Sequence, residues 1–154
     1  MLRHRLAALA ACLAAVPGWA AAADTPAWGP LRLLEREIPV GGKRKFSYQV
    51  NRTFEGAFLD TPVFVARGRR AGPTLCVVAG IHGDERNGFE VARQVFAGTD
   101  AGALAGTLIV LPAANAAGFR SATRYMPDRR DLNRAFPGST KGSNSGLVAG
   151  IIFG

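Results

Sequence analysis

The sequence has 154 residues, 48% hydrophobic and 19% charged, with a formal net charge of +8. That balance excludes a disordered chain and fits a folded domain. The positive charge gathers at Lys43-Arg44-Lys45, Arg67-Gly68-Arg69-Arg70 and Arg129-Arg130, with no interleaved aromatic residues. This argues against a nucleic-acid surface and for a solvated basic face or a small anionic partner.

The first residues differ from the rest. Met1-Leu2-Arg3-His4-Arg5 is basic, residues 6–16 are almost wholly apolar, and Pro17-Gly18 breaks the run before the small residues at 20–23. This is the layout of a secretory signal peptide, so a secreted or periplasmic location is expected. The apolar stretch is too short for a stable membrane span. Cleavage is expected after Ala22 or Ala23. A second reading makes Leu9-Ala10-Ala11-Cys12 a lipoprotein processing site, but the apolar character continues past Cys12, so it ranks below the first. Losing Arg3 and Arg5 lowers the formal charge from +8 to +6. Losing Cys12 leaves Cys76 without an internal disulfide partner. It reads as a small core residue. Losing His4 leaves His82 as the only histidine.

Residues 24–30 read as a linker. Residues 31–40 and 46–54 read as strands or extended segments around a Gly41-Gly42 turn. Phe46, Tyr48 and Val50 alternate with Ser47, Gln49 and Asn51, the period of a half-buried strand. Residues 62–66 form a further strand, closed by basic residues and Gly72-Pro73. Residues 75–79 are apolar without alternation, as expected of a strand covered on both faces. Gly80-Ile81-His82-Gly83-Asp84-Glu85 then reads as a sharp turn. Residues 87–97 predict a helix with Phe89, Val91, Ala92, Val95 and Phe96 on one side. Gly98 and Gly102 bound its end. Residues 107–111 are the next apolar strand. Strand, helix, strand in this order is a βαβ unit with a right-handed crossover. Sites in such sheets lie beyond the carboxyl ends of the strands. His82 and Glu85 lie beyond one strand and Asn115 beyond the next. Residues 116–142 have little periodicity and read as a long loop carrying five arginines, and residues 145–153 begin an apolar helix.

His82 and Glu85 stand three apart in a glycine-flanked turn, so an imidazole and a carboxylate can converge on one point. Both are ordinary zinc ligands. So short a pattern also arises by chance at surface turns. Its position beyond a strand end gives it weight.

The chain resembles the succinylglutamate desuccinylase/aspartoacylase family, relatives of the zinc carboxypeptidases. The resemblance rests on Leu59-Asp60-Thr61-Pro62-Val63, Gly72-Pro73-Thr74-Leu75 and Gly80-Ile81-His82-Gly83-Asp84-Glu85-Arg86-Asn87-Gly88. It continues through Gly106-Thr107-Leu108-Ile109-Val110, Asn115, Gly118-Phe119-Arg120 and Asp131-Leu132-Asn133-Arg134-Ala135-Phe136-Pro137-Gly138. It implies an α/β fold, a partial zinc-exopeptidase-like α/β/α sandwich with a mixed sheet, truncated at its carboxyl end. Residues 1–23 would be the signal peptide, 24–60 the leading strands and 61–154 the motif-bearing βαβ region.

The resemblance also implies a zinc-dependent hydrolase acting on an amide next to a carboxylate, in a small acidic N-acyl amino acid or peptide. His82 and Glu85 would be zinc ligands, Asn133 and Arg134 would hold the substrate carboxylate, and Arg124 would polarise the scissile carbonyl. The chemistry suits these roles. Zinc on three protein ligands lowers the pKa of a water to about 7. Arginine fits a carboxylate with two hydrogen bonds, and a second cation stabilises charge developing on the carbonyl. Each role has a plainer rival: a salt bridge from Arg134 to Asp131, a turn-forming Asn133, and Arg120, Arg129 or Arg130 in place of Arg124. Asp84 is expected to brace the turn. The family completes its site with a second histidine and a glutamate. Here no histidine follows His82, and no acidic residue follows Asp131. Two readings stay open: the amino-terminal part of a longer enzyme, or a non-catalytic truncated relative that binds anionic ligands.

Overall fold

The structure, a computed structural model, describes residues 28–52 and 56–153. The leader expected over residues 1–23 lies outside the described residues. Among the described residues six strands form: β1 Leu31–Leu33, β2 Arg36–Ile38, β3 Lys43–Arg52, β4 Phe58–Arg67, β5 Arg70–Val78 and β6 Ala105–Leu111. The same residues form three α-helices, α1 Arg86–Gly98, α2 Ala116–Ser121 and α3 Asn144–Phe153, with a 3-10 turn over Leu132–Arg134.

The larger sheet has the order β3-β4-β6-β5. β3 pairs antiparallel with β4, β4 antiparallel with β6, and β5 parallel with β6. The sheet is therefore mixed, and β5-α1-β6 is the expected βαβ unit. Along β3, Phe46, Tyr48 and Val50 are half-buried while Ser47 and Gln49 are exposed, as the alternation requires.

Helices cover both faces. On one, Ala92 and Phe96 of α1 pack with Ala66, Leu108 and Val110. On the other, Val148 and Ala149 of α3 pack with Ala114, Met126 and Leu132. A third cluster, Ile38, Val63 and Val65, lies under the β1–β2 hairpin. The hairpin corrects the expectation of one extended segment over residues 31–40. Leu34 and Glu35 turn the chain with φ of 49° and 62°. Two consecutive left-handed residues match the twist of a tight hairpin, but that turn is ordinarily signalled by Asn or Gly, and neither is present. The loop expected over residues 116–142 is likewise interrupted by α2 and the 3-10 turn.

A second correction concerns β5. Residues 75–79 were expected to be covered on both faces, with Cys76 in the core. Instead β5 is an edge strand, Leu75 is 60% exposed and Cys76 is exposed. An apolar run reports what a strand would bury, not whether a neighbour is there to bury it. The α1 stripe is also only partly covered: Ala92 and Phe96 are buried, Val91 and Val95 are exposed.

Two basic side chains are structural. Lys43 Nζ donates to the carbonyls of Phe96 at 2.6 Å, Ala97 at 3.2 Å and Thr99 at 2.8 Å, satisfying the carboxyl end of α1. Arg67 stacks on the Trp28 ring at 3.4 Å and donates to Gly29 O and Thr107 Oγ1, while Trp28 Nε1 donates to Gly68 O at 3.0 Å. These contacts seat the segment ahead of β1 on the end of β4.

Candidate active site

The turn after β5 is shaped by two glycines. Gly80 has φ +59°, a conformation L side chains rarely adopt. A Cβ at Gly83 would run into the backbone of Gly118 and Phe119, so only glycine lets α2 close against the turn. Between them His82 is buried.

Four side chains converge there. His82 Nδ1 lies 2.8 Å from Glu85 Oε1, and His82 Nε2 lies 3.0 Å from Asp131 Oδ1. Arg124 Nη2 donates to Asp131 Oδ2 at 3.3 Å, and Arg124 Nη1 stands 3.6 Å from Glu85 Oε1. The structure thus brings His82, Glu85 and Arg124 together. Asp131 is the member that sequence reasoning missed. It had been read as a rival partner for Arg134, but its carboxylate faces His82 and Arg124. His82 is 49 positions away, so no local pattern could signal the pairing. Asp84, expected to brace the turn, is exposed; Asp131 is the carboxylate that touches the histidine.

Asp131 is held from several sides. Partial burial pushes its carboxyl pKa up, but the hydrogen bonds from His82 and the Asn133 amide, with the charges of His82 and Arg124, outweigh this and hold it below the ordinary carboxylate value. With Nε2–H donated to Asp131, a hydrogen on Nδ1 is donated to Glu85, and an ion held by Nδ1 and Glu85 would stand in that hydrogen's place.

The residues fit a metal as two donors of a larger set. Tetrahedral zinc with bonds of about 2.0–2.1 Å needs donor atoms roughly 3.3 Å apart. The Nδ1–Oε1 gap of 2.8 Å is somewhat shorter, and the Glu85 side chain is 63% exposed, with room to move. Asp131 sits at the other ring nitrogen and does not face the same point. Among the described residues no group of three His, Cys, Asp or Glu forms a metal-holding cluster.

Asn115, just beyond β6, is fully buried and positions this cluster. Its Oδ1 accepts from the Gly118 amide at 2.8 Å, capping α2, and its Nδ2 donates to the Arg124 carbonyl at 3.2 Å. Its own amide donates to Gly80 O at 2.8 Å. One residue thereby links the turn after β5 through its backbone, and α2 and the backbone of Arg124 through its side chain. The sequence signal was available: an asparagine at a strand end, three residues before Gly118.

Asn133 and Arg134 lie on the 3-10 turn. Arg134 lines a separate cavity of about 530 Å³ with Arg130, Asp131, Ser139 and Ser143. The Asn133 side chain does not line that cavity, so the two residues do not share it. No carboxylate stands within ion-pair distance of Arg130 or Arg134 among the described residues. Asp131 lies between this cavity and the His82 cluster. Asp128 fixes the start of α3, its carboxylate accepting from Ser145 N at 2.8 Å and Ser145 Oγ at 2.6 Å, between the lining residues Ser143 and Gly146.

Comparison with known proteins gives this site a context. Residues 71–149 match the model of the succinylglutamate desuccinylase/aspartoacylase catalytic domain. The chain is 33% identical over 95 residues to an N-alpha-acetyl-L-2,4-diaminobutyric acid deacetylase of Halomonas elongata, a match covering 61% of this chain and 27% of that protein. Among solved structures, a succinylglutamate desuccinylase/aspartoacylase from Rhodobacter sphaeroides superposes with a TM-score of 0.66 at 28% identity, covering 71% of this chain and 35% of that one. An aspartoacylase family protein from Mesorhizobium loti gives 0.66 at 30% identity, covering 81% and 39%. The product-bound ectoine utilization protein of Ruegeria pomeroyi gives 0.61 at 31% identity, covering 73% and 36%. The chain spans well under half the length of each of these relatives.

Proposed function

The chain belongs to the succinylglutamate desuccinylase/aspartoacylase family, and on that premise we propose that it carries one part of a zinc-dependent site hydrolysing N-acyl amino acids. The observation that supports this is the convergence of His82, Glu85, Arg124 and Asp131 at the exit of β5. His82 Nδ1 and Glu85 Oε1 would hold the ion. Bound there, zinc acidifies water and polarises a carbonyl. Asp131 orients the His82 ring through Nε2. Arg124 stands over the cluster, where a guanidinium can stabilise negative charge developing on a carbonyl oxygen. Arg134, with Asn133 beside it on the 3-10 turn, would take the substrate carboxylate. The leader-like layout of residues 1–23 supports export to the periplasm or beyond.

A second reading is favoured by the cavity between Arg130 and Arg134, whose guanidiniums lack ion-pair partners among the described residues. It holds that this chain alone is an anion-binding module.

One set of titrations tests both. Two protein donors hold zinc poorly compared with three. The full chain is therefore expected to bind zinc weakly, to lose it on dialysis and on His82→Ala, and to hydrolyse N-acyl amino acids no faster than background. A tightly retained zinc would show that another residue completes the site, and zinc binding indifferent to His82→Ala would sink the assignment. Succinate binding without zinc, lost in Arg134→Ala, would favour the second reading.

A further inference from the structure

Two of the three basic clusters in the sequence meet at one end of the larger sheet. Lys43-Arg44-Lys45 opens β3, and Arg67-Gly68-Arg69-Arg70 joins β4 to β5. Lys43, Arg44 and Lys45 stand opposite Ala66, Val65 and Phe64, beside the end of β4. The backbone closes the junction: Gly41 N donates to Arg67 O at 2.8 Å, and Arg67 N donates to Gly42 O at 2.9 Å. A Cβ at Gly41 would meet the Arg69 side chain at 3.0 Å, so that side chain lies over the turn before β3. Arg44, Lys45, Arg69 and Arg70 are exposed.

Among the described residues none of these lysines and arginines has a carboxylate within ion-pair distance. Their partners are neutral. Lys43 serves the carbonyls at the end of α1, and Lys45 stands 5.0 Å over the Phe64 ring. Arg67 stacks on Trp28, and Arg70 donates to Ala103 O at 2.8 Å. Glu35 and Glu37 share a cavity with Arg44 and Lys45, but Arg36 lines it too, so cations outnumber acids there. Asp100 spends Oδ1 on the Gly102 amide. A cluster of unneutralised charge on one face sets up a field that attracts an anionic partner.

The chain enters the fold at the same end. Trp28 Nε1 donates to Gly68 O, and Arg67 Nε donates to Gly29 O. From Ala23 to Trp28 the extended chain reaches at most about 18 Å. The apolar, leader-like stretch therefore joins the fold at its basic end. The His82 cluster lies at the other end, beyond Val78, and β5 carries the chain roughly 26 Å from Arg70 to Val78. We propose that the sheet end formed by Lys43-Arg44-Lys45 and Arg67-Gly68-Arg69-Arg70 is a docking surface for a bilayer bearing anionic headgroups, with the His82 cluster facing away from it. Lysine and arginine are drawn to such a surface within about a Debye length. The point of chain entry favours a bilayer over a nucleic acid, because an apolar leader held in a membrane keeps this end close to the headgroups.

The test is co-sedimentation of the full chain with phosphatidylcholine vesicles, with and without phosphatidylglycerol, at low and high salt. The leader-like run binds both kinds through apolar contact, so the difference between them is the readout. Arg44→Gln, Arg69→Gln and Arg70→Gln, combined, spare Lys43 and Arg67, which hold α1 and Trp28. This variant should keep the circular dichroism spectrum and bind the anionic vesicles roughly tenfold to a hundredfold more weakly. A matched control, Arg86→Gln, Arg120→Gln and Arg129→Gln, removes the same charge from α1, α2 and the loop before Asp131 at the other end. It should weaken binding by roughly threefold at most. On anionic vesicles, amide exchange should slow at residues 41–45 and 67–70 and stay unchanged at 80–85. Equal losses in the two variants, binding indifferent to phosphatidylglycerol or salt, protection at 80–85 instead, or duplex DNA held as tightly through the same residues would each overturn the proposal. None of these readouts involves zinc or hydrolysis, so failure of the zinc reading leaves them unaffected.

Discussion

β5 and β6 run parallel, side by side, and leave the sheet at the same end, yet their exits are built oppositely. After β5 the turn gathers charged side chains that share partners: His82 faces two carboxylates, and Arg124 approaches both of them. Glu85 stays exposed. After β6 the chain is apolar except for Asn115, which is fully buried and whose side-chain bonds are both made to backbone. The first exit keeps bonding capacity in reserve for a ligand. The second spends its capacity on stiffness and holds the first in place. Chemistry and support are thus divided between neighbouring strand ends, as precise sites require.

The largest effect should come from the supporting exit. Asn115→Ala leaves the Gly118 amide and the Arg124 carbonyl without their partner in a buried setting, and should destabilise the fold by about 1–3 kcal/mol. Denaturant unfolding measures it; a loss under about 0.5 kcal/mol, the level of an ordinary surface change, would break the comparison. At the reactive exit the expectation reverses. Asp131→Asn keeps an acceptor for the Asn133 amide but removes the carboxylate charge that faces His82. Zinc affinity should fall about 10–100-fold while the unfolding midpoint moves less than in Asn115→Ala. Unchanged zinc binding would show that Asp131 does not orient the ligand.

The smallest effect lies outside both turns. On α1, hydrogen bonds from Arg93 and Gln94, with the charge of Arg93, hold the Glu90 carboxyl down to about 2, against an ordinary value of 4.5. Its folded pKa is the lower one. Its contribution to stability is therefore complete above pH 4.5 and is lost as pH falls toward 2. An NMR titration of Glu90 should show that midpoint, and Glu90→Gln should leave zinc binding alone.

What the sequence disclosed and what it hid divide along physical lines. The strands, α1 and the βαβ order were legible because apolar periodicity is a local property: Phe46, Tyr48 and Val50 mark β3 by themselves. His82 and Glu85 were legible for the same reason, three positions apart in one turn. The Leu34-Glu35 turn was not, because its left-handed backbone is imposed by pairing of the flanking strands and not by its residues. The exposure of Cys76, Val91 and Val95 was not, because burial needs a neighbour, and neighbours are not written in the run that would bury them. Asp131 entered only as a rival partner for Arg134 because proximity in sequence was the available guide, whereas His82 reaches it from the turn after β5, 49 positions away.

The stack of Arg67 on Trp28 bears on how this protein can be watched. The sequence holds two tryptophans, Trp19 and Trp28. In a chain that starts at residue 24, Trp28 is the one indole. It lies 3.4 Å from a guanidinium and is bonded to Gly68 O, at the point where the segment ahead of β1 meets the end of β4. Its fluorescence therefore reports on that seat alone. A red shift preceding any loss of the far-ultraviolet signal would mean that the amino-terminal segment lifts off while the sheet is still intact.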